Sequence, residues 1–266
     1  MGGKMSHLFK HRIPALVFAI LLLFTSGWMN NQVDSRQAEM ESFLRNASVK
    51  EVIKNLEGGR TEYWDVILCM DGTEQKARFK YIDRRRPNII FDSYFYELAA
   101  YELNKRLGQH LVPPLILRTI EEMEGSLQIF IPDCITEIYR QRQNIEPPDK
   151  NFSRKLEDIK VFEYLTGEPC YDADDILVDC STWDVWRVDF SEAFSDTAPL
   201  DINCRIEGCS RSLYVHLIAL ENQTIRTALQ PYLNPSELSA LLLRKARILD
   251  TIKGLIAERG EDQVLF

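Results

Sequence analysis

The sequence predicts an α+β chain in two lobes: a strand-rich first half carrying one main helix, and a mainly helical second half holding one short hairpin. Three observations predict this. Tyr63 to Met70 and Ala77 to Ile82 are β-type runs joined through Asp71-Gly72, a strong hairpin signal. At the other end Asn234, Pro235 and Glu237 start a helix whose Leu238, Leu241, Leu242, Ile248, Leu249, Ile252, Leu255 and Ile256 recur at helical spacing. Between them Val161 to Phe194 passes from an apolar helix end, through an acidic loop with Asp172, Asp174 and Asp175, to the β-type runs Ile176 to Val178 and Val185 to Val188. Asp189 follows the second run directly. Carboxylates converging from a loop and a hairpin suit a hard cation such as Mg²⁺, and a solvated acidic loop is the alternative.

In chain order, Lys4, Lys10, His11 and Arg12 precede an apolar run from Ile13 to Phe24, followed by Thr25-Ser26-Gly27. That is the form of an export signal, residues 1–29, or of an uncleaved anchor that would give the chain its contact with a membrane. The run is shorter than the roughly 20 residues of a spanning helix. Residues 30–40 read as a polar linker, and Ala38 to Leu56 as a helix that breaks at Gly58-Gly59. The strand-rich lobe is placed at 41–133 and the helical lobe at 134–266. Lys80 stands near the end of the second strand. Asp92 or Ser93 caps a helix to Leu107, with Glu97 beside the stripe Tyr96, Ala99, Ala100, Leu103 and Leu107. A lysine and a glutamate so placed can pair across a cleft.

Leu115 to Ile120 and Leu127 to Ile131 form a second hairpin with its turn at Gly125, and a polar helix starts near Ile135. Gln141 to Ser153 is a loop, Arg154 to Leu165 a helix, and Ser210 to Asn222 a further helix.

Composition narrows the function classes. With 45% apolar residues the chain can build a core, and a net charge of −8 argues against a general nucleic-acid surface, which needs clustered cations. Cysteines at 69, 134, 170, 180, 204 and 209 contain no C-x-x-C pair, which weakens a zinc site. In an exported chain Cys204 and Cys209 could close a small disulfide loop, which spacing alone does not establish. Asn46, Asn151 and Asn222 fit a glycosylation pattern that matters in a eukaryotic secretory pathway.

Several segments together resemble the atypical protein-kinase-like superfamily that includes HipA-type kinases, phosphatidylinositol kinases and secretory-pathway kinases, nearest to exported bacterial members. They are Gly59-Arg60-Thr61, Ala77-Arg78-Phe79-Lys80, Ser93 to Gly108, Val112 to Pro114, Gly125 to Gln128, Asp175 to Asp179, Trp186 to Phe194 and Arg259 to Phe266. The resemblance covers nearly all of residues 40–266. It implies a two-lobed kinase-like fold in which Lys80 holds the phosphates of ATP, Glu97 pairs with Lys80, and Gly59 and Thr61 lie in the loop covering the phosphates. Asp189 and Asp175 would bind Mg²⁺.

The catalytic loop departs from the family pattern, an aspartate, four residues and an asparagine, because Cys170 and Asp175 occupy those positions. An aspartate in place of the asparagine keeps an oxygen ligand. A thiol in place of the aspartate is a poor proton acceptor: its reference pKa is about 8.5 and nearby carboxylates raise it, whereas general-base help is worth about 10²- to 10⁴-fold in rate. Asp172, two residues on, could compensate if the loop bends differently. The resemblance therefore implies an exported pseudokinase that binds nucleotide and Mg²⁺, transfers phosphate poorly and works through a protein partner. The alternatives are an active atypical kinase using Asp172 or Asp175, and a structural interaction module without nucleotide.

Overall fold

A computed structural model describes residues 35–55, 62–84, 92–168, 172–196 and 205–266. Its architecture is α+β, with a strand-rich part and a helical part as expected. Helix α1 covers residues 35–46. It is followed by β1 (Ser48–Asn55), β2 (Tyr63–Met70) and β3 (Thr73–Lys80), then by the two-residue pair β4 (Asp83–Arg84) and β5 (Asp92–Ser93). Helix α2 (Tyr94–Arg106) leads to the hairpin β6 (Leu115–Ile120) and β7 (Met123–Ile129). The antiparallel sheet order is β1-β2-β3-β7-β6. Asp71 and Gly72 form the predicted turn, both with positive φ.

The second part begins with β8 (Cys134–Thr136), α3 (Glu137–Arg142) and α4 (Asn151–Thr166). Strands β9 (Ile176–Asp179) and β10 (Val185–Arg187) join β8 in a three-stranded sheet of order β10-β9-β8. Then come α5 (Arg211–Ala219), α6 (Asn222–Leu229), α7 (Pro235–Arg259) and α8 (Glu261–Val264). Helix α7 starts on the predicted capping box: the Asn234 side chain accepts from the backbone of Glu237, and the Glu237 carboxylate accepts from the backbone of Asn234.

Two cores form. The smaller lies between one face of the large sheet and α1, with Phe43, Leu44, Trp64, Val66, Leu68, Phe79 and Leu127 buried. The larger gathers α2, α4, β9, β10 and α5–α7. The whole α2 stripe is buried in it, and Tyr96 reaches α7 by donating to Glu237 at 2.6 Å.

Several sequence expectations are corrected. The helix expected over Ala38 to Leu56 ends at residue 46, and 48–55 is a strand paired along β2; residues 35–40, expected as linker, belong to α1. A register shift between Val49 and Glu51 breaks the alternation of β1. Val49, Val52 and Ile53 consequently show no clean period of two in the sequence. The second hairpin turns at Glu121-Glu122, both at positive φ, and Gly125 sits inside β7. A Cβ at Gly125 would collide with the carbonyl of Lys80 and lie 2.8 Å from the Phe79 ring. Its glycine therefore serves strand approach rather than the turn. Ile135 lies in β8, and the polar helix starts at Glu137 behind the Thr136 cap. Helix α4 begins at Asn151, inside the expected loop. The helix expected over Ser210 to Asn222 is α5, which ends at Ala219; extended backbone at Leu220 and Glu221 separates it from the further helix α6. Among the described residues no helix is long and apolar enough to cross a membrane.

Candidate functional site

Lys80 is the last residue of β3 and pairs with Ser126 of β7. Strand alternation sends Ala77 and Phe79 into the α1 core and turns Arg78 and Lys80 to the opposite face. Glu97 stands in the first turn of α2. The Ser93 hydroxyl caps that helix, accepting from the Phe95 N–H at 3.2 Å and donating to Asp83 at 2.7 Å. Asp189, just past β10, adopts a left-handed backbone with φ 63. Its carboxylate accepts from the Ser191 hydroxyl at 3.0 Å, while the Ser191 carbonyl accepts from the Ser93 N–H at 2.8 Å and ties this loop to the start of α2.

The three elements meet at one ammonium. Lys80 Nζ donates to Glu97 Oε1 and to Asp189 Oδ1, each at 2.6 Å. Lys80 is buried and Glu97 is buried, whereas the Asp189 side chain is 42% exposed. Desolvation alone would lower the Lys80 pKa, but the charges of Glu97 and Asp189 outweigh it and the ammonium is held more firmly than usual. Desolvation works to raise Asp189, yet Lys80 together with the Ser191 hydroxyl holds this carboxyl well below the ordinary range. The lysine and glutamate predicted to pair across a cleft do so, with Asp189 as third partner.

A second cation sits behind the first. Arg187 is almost fully buried; its Nε donates to Glu163 on α4 at 2.8 Å, with Glu168 and Asp175 at 3.7 and 3.5 Å. Nη1 also donates to the carbonyls of Val188, at very short range, and Asp189, at 3.3 Å. Three carboxylates around one guanidinium leave excess negative charge. Burial pushes the Glu168 carboxyl up to about 8, opposed by Arg187. Burial likewise raises Asp175 to about 6, again opposed by Arg187 and assisted by Asp189 and Asp172. One Glu168 oxygen is buried with no hydrogen-bond partner among the described residues.

Asp175 is fixed at both backbone ends: its N–H donates to the Asp172 carbonyl at 3.1 Å and its carbonyl accepts from Val188 N–H at 3.0 Å. Asp175 and Asp189 border one cavity of about 50 Å³ with Arg78, Lys80, Glu97 and Gln128. Among the described residues no cluster of three or more His, Cys, Asp or Glu is arranged to hold a metal. Two carboxylates fit Mg²⁺, which keeps waters and phosphate oxygens in its remaining positions.

Asp172 sits at the loop entrance, where its side chain accepts from Asp174 N–H at 3.2 Å. Gly59, Thr61 and Cys170 lie outside the described residues, as does Cys204; Cys209 is a buried free thiol pushed up to about 12. A larger cavity of about 690 Å³ lies between α1, the start of β3 and the β7–β8 connection, lined by Met40, Val112, Ile129, Phe130, Ile131 and Trp186 among others. Among the described residues it borders none of the candidate site residues.

Sequence reasoning missed Arg187, Glu163, Glu168 and Ser191. A signal was present: Arg187 interrupts a β-type run and Glu163 interrupts the apolar helix end Val161 to Leu165, and each such charge needs a buried partner.

No protein-family model matches this chain and no curated protein matches it. Among solved structures it is similar to the proinflammatory kinase CtkA of Helicobacter pylori, at 10% identity and TM-score 0.49, over 80% of this chain and 96% of that one. It is similar to the complete CtTel1 dimer at 13% identity and TM-score 0.46, and to the open conformation of CtTel1 at 12% and 0.41. Each of those matches covers 78% of this chain and 12% of the other, so this chain spans a small fraction of CtTel1.

Proposed function

We propose that this chain is an exported kinase-like protein that holds the phosphates of ATP through Lys80 and Mg²⁺ through Asp175 and Asp189, with impaired phosphoryl transfer. The observation that carries this reading is the Lys80 ammonium at 2.6 Å from both Glu97 and Asp189. Glu97 fixes the cation from its buried side. The half-exposed Asp189 is the partner that a phosphate oxygen can replace, leaving Asp189 for the metal. Bound Mg²⁺ supplies charge neutralisation for the phosphates. Lys80 keeps its proton and its position, and Arg187 restrains the backbone on which Asp189 is carried.

Transfer to a hydroxyl also needs a group that accepts its proton. The position that supplies it in the resembling family is Cys170. The Asp172 carboxylate, the substitute, is engaged in shaping its own loop through Asp174 N–H, which favours the impaired reading over an active kinase using Asp172. A pseudokinase acts by what it binds, so a protein partner belongs to this reading. The basic flank and apolar run before residue 25 support export, which a reporter fused to that segment would reveal by its location.

The test is a thermal shift on the full chain. ATP with Mg²⁺ raises the midpoint by several degrees, and Lys80→Ala removes the response. No response in the wild type would leave the structural interaction module as the reading. Steady ATP hydrolysis that Asp189→Ala abolishes would make the chain an active kinase instead.

A further inference from the structure

We propose that Arg78 is the residue on which the planar base of the nucleotide stacks, so that base recognition in this cleft rests on a guanidinium plate rather than on aliphatic side chains. This rests on the nucleotide reading above. Arg78 precedes Lys80 by two residues on the same strand and shares its face, so their Cα positions lie about 6–7 Å apart along β3. The register sets the direction: Lys80 pairs with Ser126 and Arg78 with Gln128, and the Phe130 N–H then donates to the Lys76 carbonyl where the chain leaves for β8. Moving from Lys80 to Arg78 therefore moves away from Glu97 and toward the connection between the two parts. A base joined through a ribose to phosphates held at Lys80 extends in that direction.

The chemistry of the cavity wall agrees. Arg78, Ser126 and Gln128 line the cavity from the strand side, Gln128 donating one amide hydrogen to the Pro113 carbonyl at 3.4 Å, and Val188 is the aliphatic residue of the lining. An aliphatic ligand finds little there; a flat aromatic ring with acceptor edges finds a cation and an amide. The guanidinium carbon of Arg78 lies 4.1 Å from the centre of the Tyr63 ring, which supports the plate from one side. Arginine stacks on aromatic planes through its other face as well. Arg78 also forms an ion pair with Asp65, its Nε 3.7 Å from Oδ1, which together with the Tyr63 ring holds the guanidinium in one orientation.

Titration calorimetry on the full chain with Mg²⁺ separates base from phosphate, using ATP and inorganic tripolyphosphate as probes. The wild type binds ATP about tenfold or more tightly than tripolyphosphate. Arg78→Ala weakens ATP by about 3- to 30-fold and leaves tripolyphosphate within about twofold, and Arg78→Lys does not rescue ATP because it restores charge without the plate. Unchanged far-UV dichroism of both variants keeps the comparison interpretable. Unchanged ATP affinity in Arg78→Ala, or equal losses for both probes, overturns the proposal. A wild type that binds tripolyphosphate as well as ATP overturns it too, while the phosphate site stands. A wild type that binds neither probe overturns the nucleotide reading itself, and this inference with it.

Discussion

Lys80 and Arg187 are both buried cations that collect carboxylates from separate elements, and they differ in how open their arrangements are. Lys80 joins α2 and the loop after β10 through Glu97 and Asp189, and the second of these is 42% exposed at its side chain. Arg187 joins α4, the segment just past its C-cap and the acidic loop through Glu163, Glu168 and Asp175, at 1% side-chain exposure. An ammonium is a point charge whose partners can be exchanged. A guanidinium is a fork whose donors are committed in direction, here to one carboxylate and two backbone carbonyls. The open cation is therefore suited to a ligand and the closed one to holding the scaffold.

The comparison breaks most visibly if Arg187 is removed. Arg187→Met leaves three acids around an apolar side chain and is expected to cost about 3–5 kcal/mol in denaturant unfolding, against about 1–3 kcal/mol for Lys80→Met, whose partner Asp189 is half open to solvent. Equal costs would mean that both cations are scaffold. A smaller effect follows at Gly125, where a methyl group would press on the Lys80 carbonyl and the Phe79 ring. Gly125→Ala is expected to cost about 1–3 kcal/mol and to diminish the nucleotide response by displacing Lys80; loss of stability with an intact response would separate the strand from the site.

The smallest effect concerns pH. The Glu168 carboxyl, raised from 4.5 to about 8 by burial, keeps its proton in the folded state at pH values where the unfolded chain has lost it. Its stabilising contribution is complete below pH 4.5 and is lost as pH rises through about 8. Asp158, raised by burial to about 6, acts in the same direction. Asp175, raised to about 6, does so too, and Glu168→Gln removes one of these three titrations, so its melting temperature is expected to fall less between pH 5 and pH 8 than that of the wild type. Parallel profiles would show that Glu168 titrates normally.

What was legible followed from local chemistry. The Asp71-Gly72 turn, the Ser93 cap and the Asn234 capping box are decided by residues within a few positions of one another, and each is found where the residues indicate. The Lys80–Glu97 pair was legible as a strand lysine and a helix glutamate that could meet. The turn at Glu121-Glu122 was not, because glutamate carries no preference for left-handed backbone, and the nearby Gly125 offered a misleading signal. The strand at 48–55 was hidden by the bulge that disturbs its period.

The sequence by itself determined the α+β class, the caps and tight turns, and which charged residues were candidates for a site, because these depend on backbone preference and side-chain chemistry over short spans. Only the tertiary structure decided which acids share a cation. Asp189 meets Lys80 across 109 residues of chain and Arg187 meets Glu163 across 24. Partner choice between buried charges is set by packing and desolvation, since each buried charge must find whatever opposite charge the fold brings within reach.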